Sequence, residues 1–98
     1  MHLVFSYGTL QQTTIQLDLY GTTLEGITDQ LKDYELLNNV VYSKYPAVRK
    51  ALNQVVKGTV FNLTTQQLQI TDQYEGEAYK RIMLQLNSGI KAWVYIEN

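Results

Sequence analysis

A helical pattern gives way to a strand pattern within the segment YEGEAYKR, which spans Tyr74–Arg81. Before it, Thr64 and Gln67 have the spacing of a capping box, in which each side chain satisfies a backbone N–H of the other, so a helix is predicted to begin here. Gly76 stands where helices commonly end with a left-handed residue. The apolar run Ile82–Leu86 that follows predicts a strand. The segment is therefore predicted to be the junction between a helix and a strand.

Acidic side chains crowd this junction. Asp72 and Glu75 share a face in the last turn of the predicted helix, and Glu77 follows just beyond its end. The helix macrodipole disfavours a negative charge at this end by ~0.3–1 kcal/mol. A carboxylate that Tyr74 and Tyr79 partly bury, close to a second acid, is expected to have a raised pKa. Such a group can accept and return a proton near neutral pH, so these acids are candidates for acid–base chemistry.

A structural interpretation of the same acids remains open. Lys80 and Arg81 follow closely enough in the sequence to neutralise them, and carboxylates near a helix end are often solvated or held in ion-pair networks. The residues alone do not distinguish an acid–base group from an ion pair that stabilises the fold.

A second candidate element lies near the N-terminal end. The run Leu3–Tyr7 is rich in apolar and aromatic residues and predicts a buried strand. It leads into Gly8, Thr9 and Leu10, where successive backbone N–H groups and a hydroxyl can bind an anion or a carboxylate. An ordinary glycine turn after a strand is the alternative.

Strand patterns dominate the rest of the chain. Thr13–Tyr20 predicts a short helix that ends at Gly21, and Pro46 predicts that Ser43–Gln54 is a connecting loop of defined shape. Asn87–Gly89 has the residues of a hairpin turn. Further strands are predicted at Thr22–Ile27, Tyr34–Leu37, Val40–Tyr42, Val55–Phe61 and Ile90–Ile96. The predicted class is α+β, with about six strands in a small mixed β-barrel and one or two flanking helices, in a single domain.

Composition bounds the class of protein. The chain has 98 residues, of which 45% are hydrophobic and 17% charged, and its net charge is −1. Nucleic-acid binders usually carry a basic face, so no nucleic-acid partner is expected. No run reaches the ~18 apolar residues of a membrane span, and the short, uncharged start Met1–Phe5 does not have the pattern of a signal peptide. Together with the absence of cysteine, these features predict a cytoplasmic protein.

The sequence contains few side chains that could form a metal or cofactor site. With no cysteine and a single histidine, His2, the chain lacks the ligands of a zinc site and the residues of a Ser–His–Asp triad. No phosphate-binding loop and no dinucleotide-binding glycine pattern is present. We expect no metal and no cofactor, which leaves carboxylates and tyrosines as the acid–base candidates.

The order of these segments resembles the γ-glutamylcyclotransferase-like family, which includes the AIG2-like domains. The matching segments are short, but they follow one another in the family's order across nearly the whole chain. They are Phe5–Leu10, Tyr45–Ala47, Val56–Phe61, Thr71–Gly76 with Tyr79 and Arg81, and Ala92–Tyr95. One departure is Gln11, which stands where the family often has a basic residue.

The resemblance implies a small mixed β-barrel flanked by helices, with a cavity at one end. It also implies that Glu75 is the catalytic acid–base, which singles this residue out from Asp72 and Glu77. The substrate-binding residues that it implies are Tyr7, Gly8, Thr9, Leu10 and Tyr79.

The implied reaction is a cofactor-independent acyl transfer within one small-molecule substrate. A γ-glutamyl amine or peptide would be converted to 5-oxoproline and a free amine, so the enzyme would be classed as an acyltransferase or a lyase. The alternative is a catalytically silent small-molecule-binding or interaction domain on the same fold. The two interpretations differ in whether Glu75 faces a cavity that it shares with the backbone amides of Gly8–Leu10.

Overall fold

The fold is built on one five-stranded sheet with two α-helices, in a computed structural model that describes residues 1–98. In chain order the elements are β1 (His2–Ser6), α1 (Thr13–Tyr20), β2 (Gly26–Val41), β3 (Tyr45–Leu63), α2 (Thr65–Glu75), β4 (Tyr79–Gln85) and β5 (Lys91–Glu97). Short 3-10 turns at Thr9–Gln11 and Gly76–Ala78 lie before α1 and after α2. Neither α-helix has the length and apolar character that a membrane crossing requires.

The predicted α+β class is confirmed, and so is the mixed character of the sheet. The strands lie in the order β2-β3-β1-β5-β4, and β1 runs antiparallel to β3 and parallel to β5. The sheet has five strands, where about six were predicted. Its edge strands β2 and β4 do not pair with each other, so the sheet is not closed into a barrel.

The largest departure from the predicted elements is the long hairpin of β2 and β3. Tyr34–Leu37 and Val40–Tyr42, predicted as separate strands, lie almost entirely in the single strand β2, and most of the predicted loop Ser43–Gln54 lies in β3. Asn39 has a φ of 58° where the pairing shifts register, so a β-bulge stands where a strand break was predicted. Pro46 lies opposite this bulge, where the ladder does not need its missing N–H, and the strand therefore tolerates it.

Both helices form as predicted, because local signals determine their ends. The helix α1 ends at Gly21, which has a left-handed backbone with a φ of 72°. At the start of α2, the N–H of Gln67 donates to Thr64 Oγ1 at 3.1 Å and the N–H of Thr64 donates to Gln67 Oε1 at 2.9 Å, which is the predicted capping box. Gly76, with a φ of 70°, ends α2 immediately after Glu75.

Two apolar clusters hold the sheet together, and β1 contributes to both. Successive side chains of a strand point to opposite faces, so Val4 and Phe5 belong to different clusters. Phe5 packs with Leu31, Tyr34, Val48, Val56, Val60, Leu86, Ala92 and Val94. Val4 packs with Phe61, Leu63, Tyr95 and, from α2, Leu68. The central strand β1 is therefore locked on both faces, and its end is held in a defined position.

Candidate active site

A cavity of about 160 Å³ lies where β1 ends, against the last turn of α2 and the tip of the β2–β3 hairpin. The six site residues that the family resemblance implies all line it, namely Glu75, Tyr7, Gly8, Thr9, Leu10 and Tyr79, whereas Asp72 and Glu77 do not. No lysine, arginine or histidine is among the lining residues. Glu75 is the only carboxylate of the lining, so the cavity combines one acid with tyrosine hydroxyls and backbone groups.

Glu75 is the last residue of α2, and its carboxyl group has an unusual environment. Burial raises the pKa of Glu75 to about 7, since removal from water disfavours the charged form. The ion pairs of the structure, Arg49–Glu35 and Arg81–Asp72, do not include Glu75. The raised pKa predicted for an acid of this cluster is thus confirmed for Glu75, with desolvation as its cause. At neutral pH the group populates both protonation states.

Asp72, one helical turn earlier, has the opposite environment. Its Oδ1 accepts from Arg81 Nε at 2.8 Å and its Oδ2 accepts from Arg81 Nη2 at 3.1 Å. The hydroxyl of Tyr95 also donates to Oδ1, at 2.6 Å. Hydrogen bonds from Arg81 hold the pKa of Asp72 below its usual range, and the Tyr95 hydroxyl adds to this. The structural interpretation of the acidic cluster therefore applies to Asp72, while Glu75 has the environment of an acid–base group.

Two tyrosine hydroxyls of the cavity are already committed as hydrogen-bond donors. Tyr7 donates to the carbonyl of Tyr95 at 2.6 Å, and Tyr79 donates to the carbonyl of Pro46 at 2.6 Å. Burial raises the pKa of Tyr79 to about 12 and that of Tyr7 still further, so both hydroxyls stay neutral. A hydroxyl has one hydrogen to donate, so these oxygens can offer a ligand only their lone pairs.

The loop after β1 is held by a buried glutamine of α1. Gln16 is 1% exposed, and both ends of its amide are used. Its Nε2 donates to the carbonyl of Leu10 at 2.8 Å, and its Oε1 accepts from the N–H of Leu24 at 2.8 Å. Gln11 adds a second tie, because its Oε1 accepts from the Thr59 hydroxyl at 2.8 Å. The backbone of the loop is therefore fastened to α1 and to β3 before any ligand binds.

Gly8 keeps space in the cavity open. Its φ is −128°, so no left-handed backbone requires a glycine here. A methyl group on Gly8 would meet only Pro46 Cγ, at 3.6 Å, which is an ordinary contact. The N–H of Gly8 points to Ser6 Oγ at 3.3 Å, a long hydrogen bond. Of the predicted amide donors, Gly8 is thus partly engaged by the protein itself.

The sequence did not predict that several aromatic residues would complete the cavity. These are Tyr42 and Tyr45 with Pro46 on the β2–β3 hairpin, Tyr74 on α2 and Tyr95 on β5. All of these except Tyr42 belong to the matching family segments, and that was the available signal for them. Tyr42 has no local signal, since only the long hairpin brings it to the cavity.

The described residues bring together no group of three or more His, Cys, Asp or Glu side chains that could ligate a metal ion. The polar groups of the cavity are instead one carboxyl group, hydroxyls and main-chain amides. This set can exchange a proton and can hydrogen-bond both an ammonium group and an anion.

Several solved structures have the same architecture at low sequence identity. A protein of Arabidopsis thaliana determined in solution shares 24% identity with a TM-score of 0.85, over 98% of this chain and 68% of its own. A second Arabidopsis thaliana protein shares 20% identity with a TM-score of 0.83, over 98% of this chain and 61% of its own. A structure named Gamma-glutamyl cyclotransferase shares 18% identity with a TM-score of 0.79, over 99% of this chain and 66% of its own.

These likenesses establish the fold, and this chain spans 61% to 68% of the length of the three structures. A search of curated proteins found no significant match. A family model described as Gamma-glutamyl cyclotransferase, AIG2-like, matches residues 4–98, nearly the whole chain. The chain therefore belongs to the γ-glutamyl cyclotransferase, AIG2-like family.

Proposed function

We propose that this protein is a γ-glutamylcyclotransferase that converts a γ-glutamyl amine or peptide to 5-oxoproline and a free amine. One observation carries the proposal: Glu75, whose pKa is raised to about 7, lines a cavity together with the Tyr7–Leu10 loop. A general acid–base works best when its pKa lies near the working pH. Family membership and the likeness to a structure named Gamma-glutamyl cyclotransferase support the same reaction.

The proposed reaction begins when Glu75 takes a proton from the α-amino group of the substrate. The freed amine attacks the γ-carbonyl carbon of the same glutamyl unit and closes a five-membered ring. The bond from that carbon to the leaving nitrogen then breaks as Glu75 returns the proton to this nitrogen. The ring nitrogen gives up its extra proton to the departing amine, which leaves as an ammonium ion. The nucleophile and the electrophile belong to one molecule, and such proximity can lower a barrier by ~7–11 kcal/mol.

Two tyrosine hydroxyls of the cavity already donate to main-chain carbonyls, and this supports one orientation of the substrate. Tyr7 and Tyr79 can only accept hydrogen bonds from a ligand, so they suit the N–H groups of the α-ammonium beside Glu75. The substrate carboxylate, or the oxyanion that develops on the γ-carbonyl, would then face the amides of Thr9 and Leu10. Preorganised backbone donors of this kind are a common way to stabilise an oxyanion.

A panel of γ-glutamyl amines and dipeptides, with 5-oxoproline as the measured product, tests the proposal. We expect turnover by the native protein and a loss of roughly 10²–10⁴-fold in kcat/KM for Glu75→Gln. Glu77→Gln is the matched control, because this exposed acid lies outside the cavity. Turnover that survives Glu75→Gln would refute the mechanism. Binding of the substrates without any turnover would instead indicate the silent binding domain on the same fold.

A further inference from the structure

We infer that Asp72 and Arg81 are positioning residues that hold the carboxyl group of Glu75 in the cavity through the last turn of α2. The inference rests on the role proposed above for Glu75, but its test does not depend on turnover. Neither Asp72 nor Arg81 lines the cavity, so neither is placed to touch a substrate.

The pair fastens the end of α2 to two strands of the sheet. Arg81, on β4, donates from Nε and Nη2 to the two carboxylate oxygens of Asp72, a two-pronged arrangement that fixes direction as well as distance. The same guanidinium lies over the ring of Trp93 on β5, 4.4 Å from its centroid. The hydroxyl of Tyr95, also on β5, adds a third hydrogen bond to Asp72. Each of these contacts restricts the rotation of one helical turn against the sheet.

Asp72 and Glu75 lie three residues apart on the same side of α2, so fixing one restricts the other. Glu75 is the last residue of the helix, and helix ends tend to fray. Burial also disfavours the charged form of Glu75, and no ion pair compensates it. The charged carboxylate is therefore favoured in water over the cavity. The contact of Asp72 with Arg81, on the same helical turn, opposes its movement out of the cavity.

The groups around Glu75 allow its titration to be assigned, so that its pKa reports whether the carboxyl group is buried. The titratable groups that face it from other elements are all tyrosines: Tyr7 just after β1, Tyr20 on α1, Tyr79 on β4 and Tyr95 on β5. Burial raises the pKa of each of these hydroxyls. Glu97, on β5, faces Tyr7 and Tyr79, and Asp72 is the other acid on α2. A carboxyl group that titrates near pH 7 in this region is therefore Glu75.

Two variants keep every charge of the protein and disturb the geometry of the pair. Arg81→Lys loses the two-pronged contact, and Asp72→Glu displaces the carboxylate by one methylene. The matched control is Arg49→Lys, which alters the other arginine–carboxylate pair, Arg49–Glu35, where one contact of 3.0 Å joins exposed side chains of the β2–β3 hairpin. If one test variant does not fold, as judged by circular dichroism, the other carries the experiment.

The first readout is the titration of the glutamate carboxyl carbons followed by NMR. We expect the Glu75 midpoint to fall by at least one pH unit in Arg81→Lys and Asp72→Glu, towards the ordinary value of about 4.3, and to stay unchanged in Arg49→Lys. A release of the carboxylate to water explains this shift, since no charge has been removed. A midpoint that stays near 7 in both folded test variants would overturn the inference.

The second readout is kinetic and separates this inference from the proposed reaction. We expect kcat to fall by about 10²-fold in the test variants with KM little changed, because a small misplacement of a catalytic group costs about this much. A rise in KM at constant kcat would also overturn the inference. If the native protein turns over nothing but the NMR midpoint moves as expected, the positioning role is supported and the cyclotransferase proposal is not.

Discussion

The hydroxyl groups of Thr9 and Tyr74 lie 2.5 Å apart and join the loop after β1 to the helix that ends at Glu75. Both residues line the cavity, so this contact connects its two walls. One wall supplies the backbone amides and the other supplies the carboxyl group. Their separation is therefore set partly by one hydrogen bond between partly exposed side chains.

Removal of this contact should affect ligand binding more than folding. In Tyr74→Phe we expect the unfolding free energy to fall by about 0.5–1.5 kcal/mol, the net contribution of one hydrogen bond. KM should rise, because the loop is no longer held against α2. Urea unfolding and steady-state kinetics measure the two effects. Tyr42→Phe is the control for stability, since Tyr42 lines the same cavity but is largely exposed, at 77%. An equal loss in both variants would contradict the prediction.

The burial of Glu75 should make stability depend on pH. Its pKa is raised from 4.5 to about 7 on folding, so the folded state binds more protons between these values and stability falls as pH rises through this window. The shift is about 2.5 units, which at about 1.4 kcal/mol per unit amounts to roughly 3 kcal/mol. We therefore expect Glu75→Gln to be more stable than the native protein at pH 8 by up to roughly 3 kcal/mol, and by little at pH 4.

Urea unfolding of both proteins at the two pH values measures this difference. Asp72 contributes in the opposite direction, because its pKa is lowered on folding and its stabilisation is lost at low pH. That contribution is present in both proteins and cancels in the difference. A gain in Glu75→Gln that is the same at pH 4 and pH 8 would show that the carboxyl group is not buried as described.

Two glycines should respond differently to alanine. Gly8→Ala places its methyl group 3.6 Å from Pro46 in the cavity wall, so we expect a change in unfolding free energy below about 1 kcal/mol and a rise of about tenfold in KM. Gly58→Ala would bring its methyl group into collision with the carbonyl oxygen of Ser6 and place it 2.6 Å from Phe5 Cζ. Overpacking of this kind typically costs about 1–3 kcal/mol.

Thermal and urea unfolding of the two alanine variants measure the effect on packing of the sheet, and their kinetics measure the effect on ligand binding in the cavity. A Gly8→Ala protein that is as destabilised as Gly58→Ala would show that Gly8 serves packing and not the cavity.

The hydroxyl of Tyr79 is expected to matter for the substrate ammonium. In Tyr79→Phe the protein loses both the bond to Pro46 and a lone-pair acceptor in the cavity. A hydrogen bond to a charged group contributes about 1.5–3 kcal/mol, so kcat/KM should fall by roughly 10–100-fold. Tyr20→Phe is the matched control, because its hydroxyl also makes one hydrogen bond, to Thr71, but lies outside the cavity. Equal losses of kcat/KM in the two variants would contradict the assigned orientation of the substrate.

Elements with local signals could be predicted from the sequence. The start of α2 depends on Thr64 and Gln67, and its end depends on Gly76, all within one short stretch. The turn between β4 and β5 likewise follows from Asn87–Gly89, and the N–H of Leu86 donates across it to the carbonyl of Ile90 at 2.7 Å. Since these contacts join near neighbours, propensity and capping suffice to predict them.

The β2–β3 hairpin could not be predicted in the same way. Its pairing joins residues as distant as Gly26 and Phe61, and bulges at Asp33 and Asn39 absorb residues that look like strand breaks in the sequence. The hairpin in turn brings Tyr42 and Tyr45 to the cavity. Side-chain packing across the sheet decides such a register, and local patterns do not contain that information.

The acidic cluster shows what the sequence determines and what the tertiary structure determines. The sequence by itself determined that Asp72 and Glu75 would stand together in the last turn of a helix, because the 3.6-residue repeat and the capping residues require it. Only the tertiary structure decided which acid would be paired and which would be buried alone. Arg81 reaches Asp72 because β4 passes beside α2. The carboxyl group of Glu75, by contrast, is buried in a cavity lined by tyrosines. A pKa depends on what surrounds a group in space, and so two carboxylic acids one helical turn apart acquired opposite shifts in pKa.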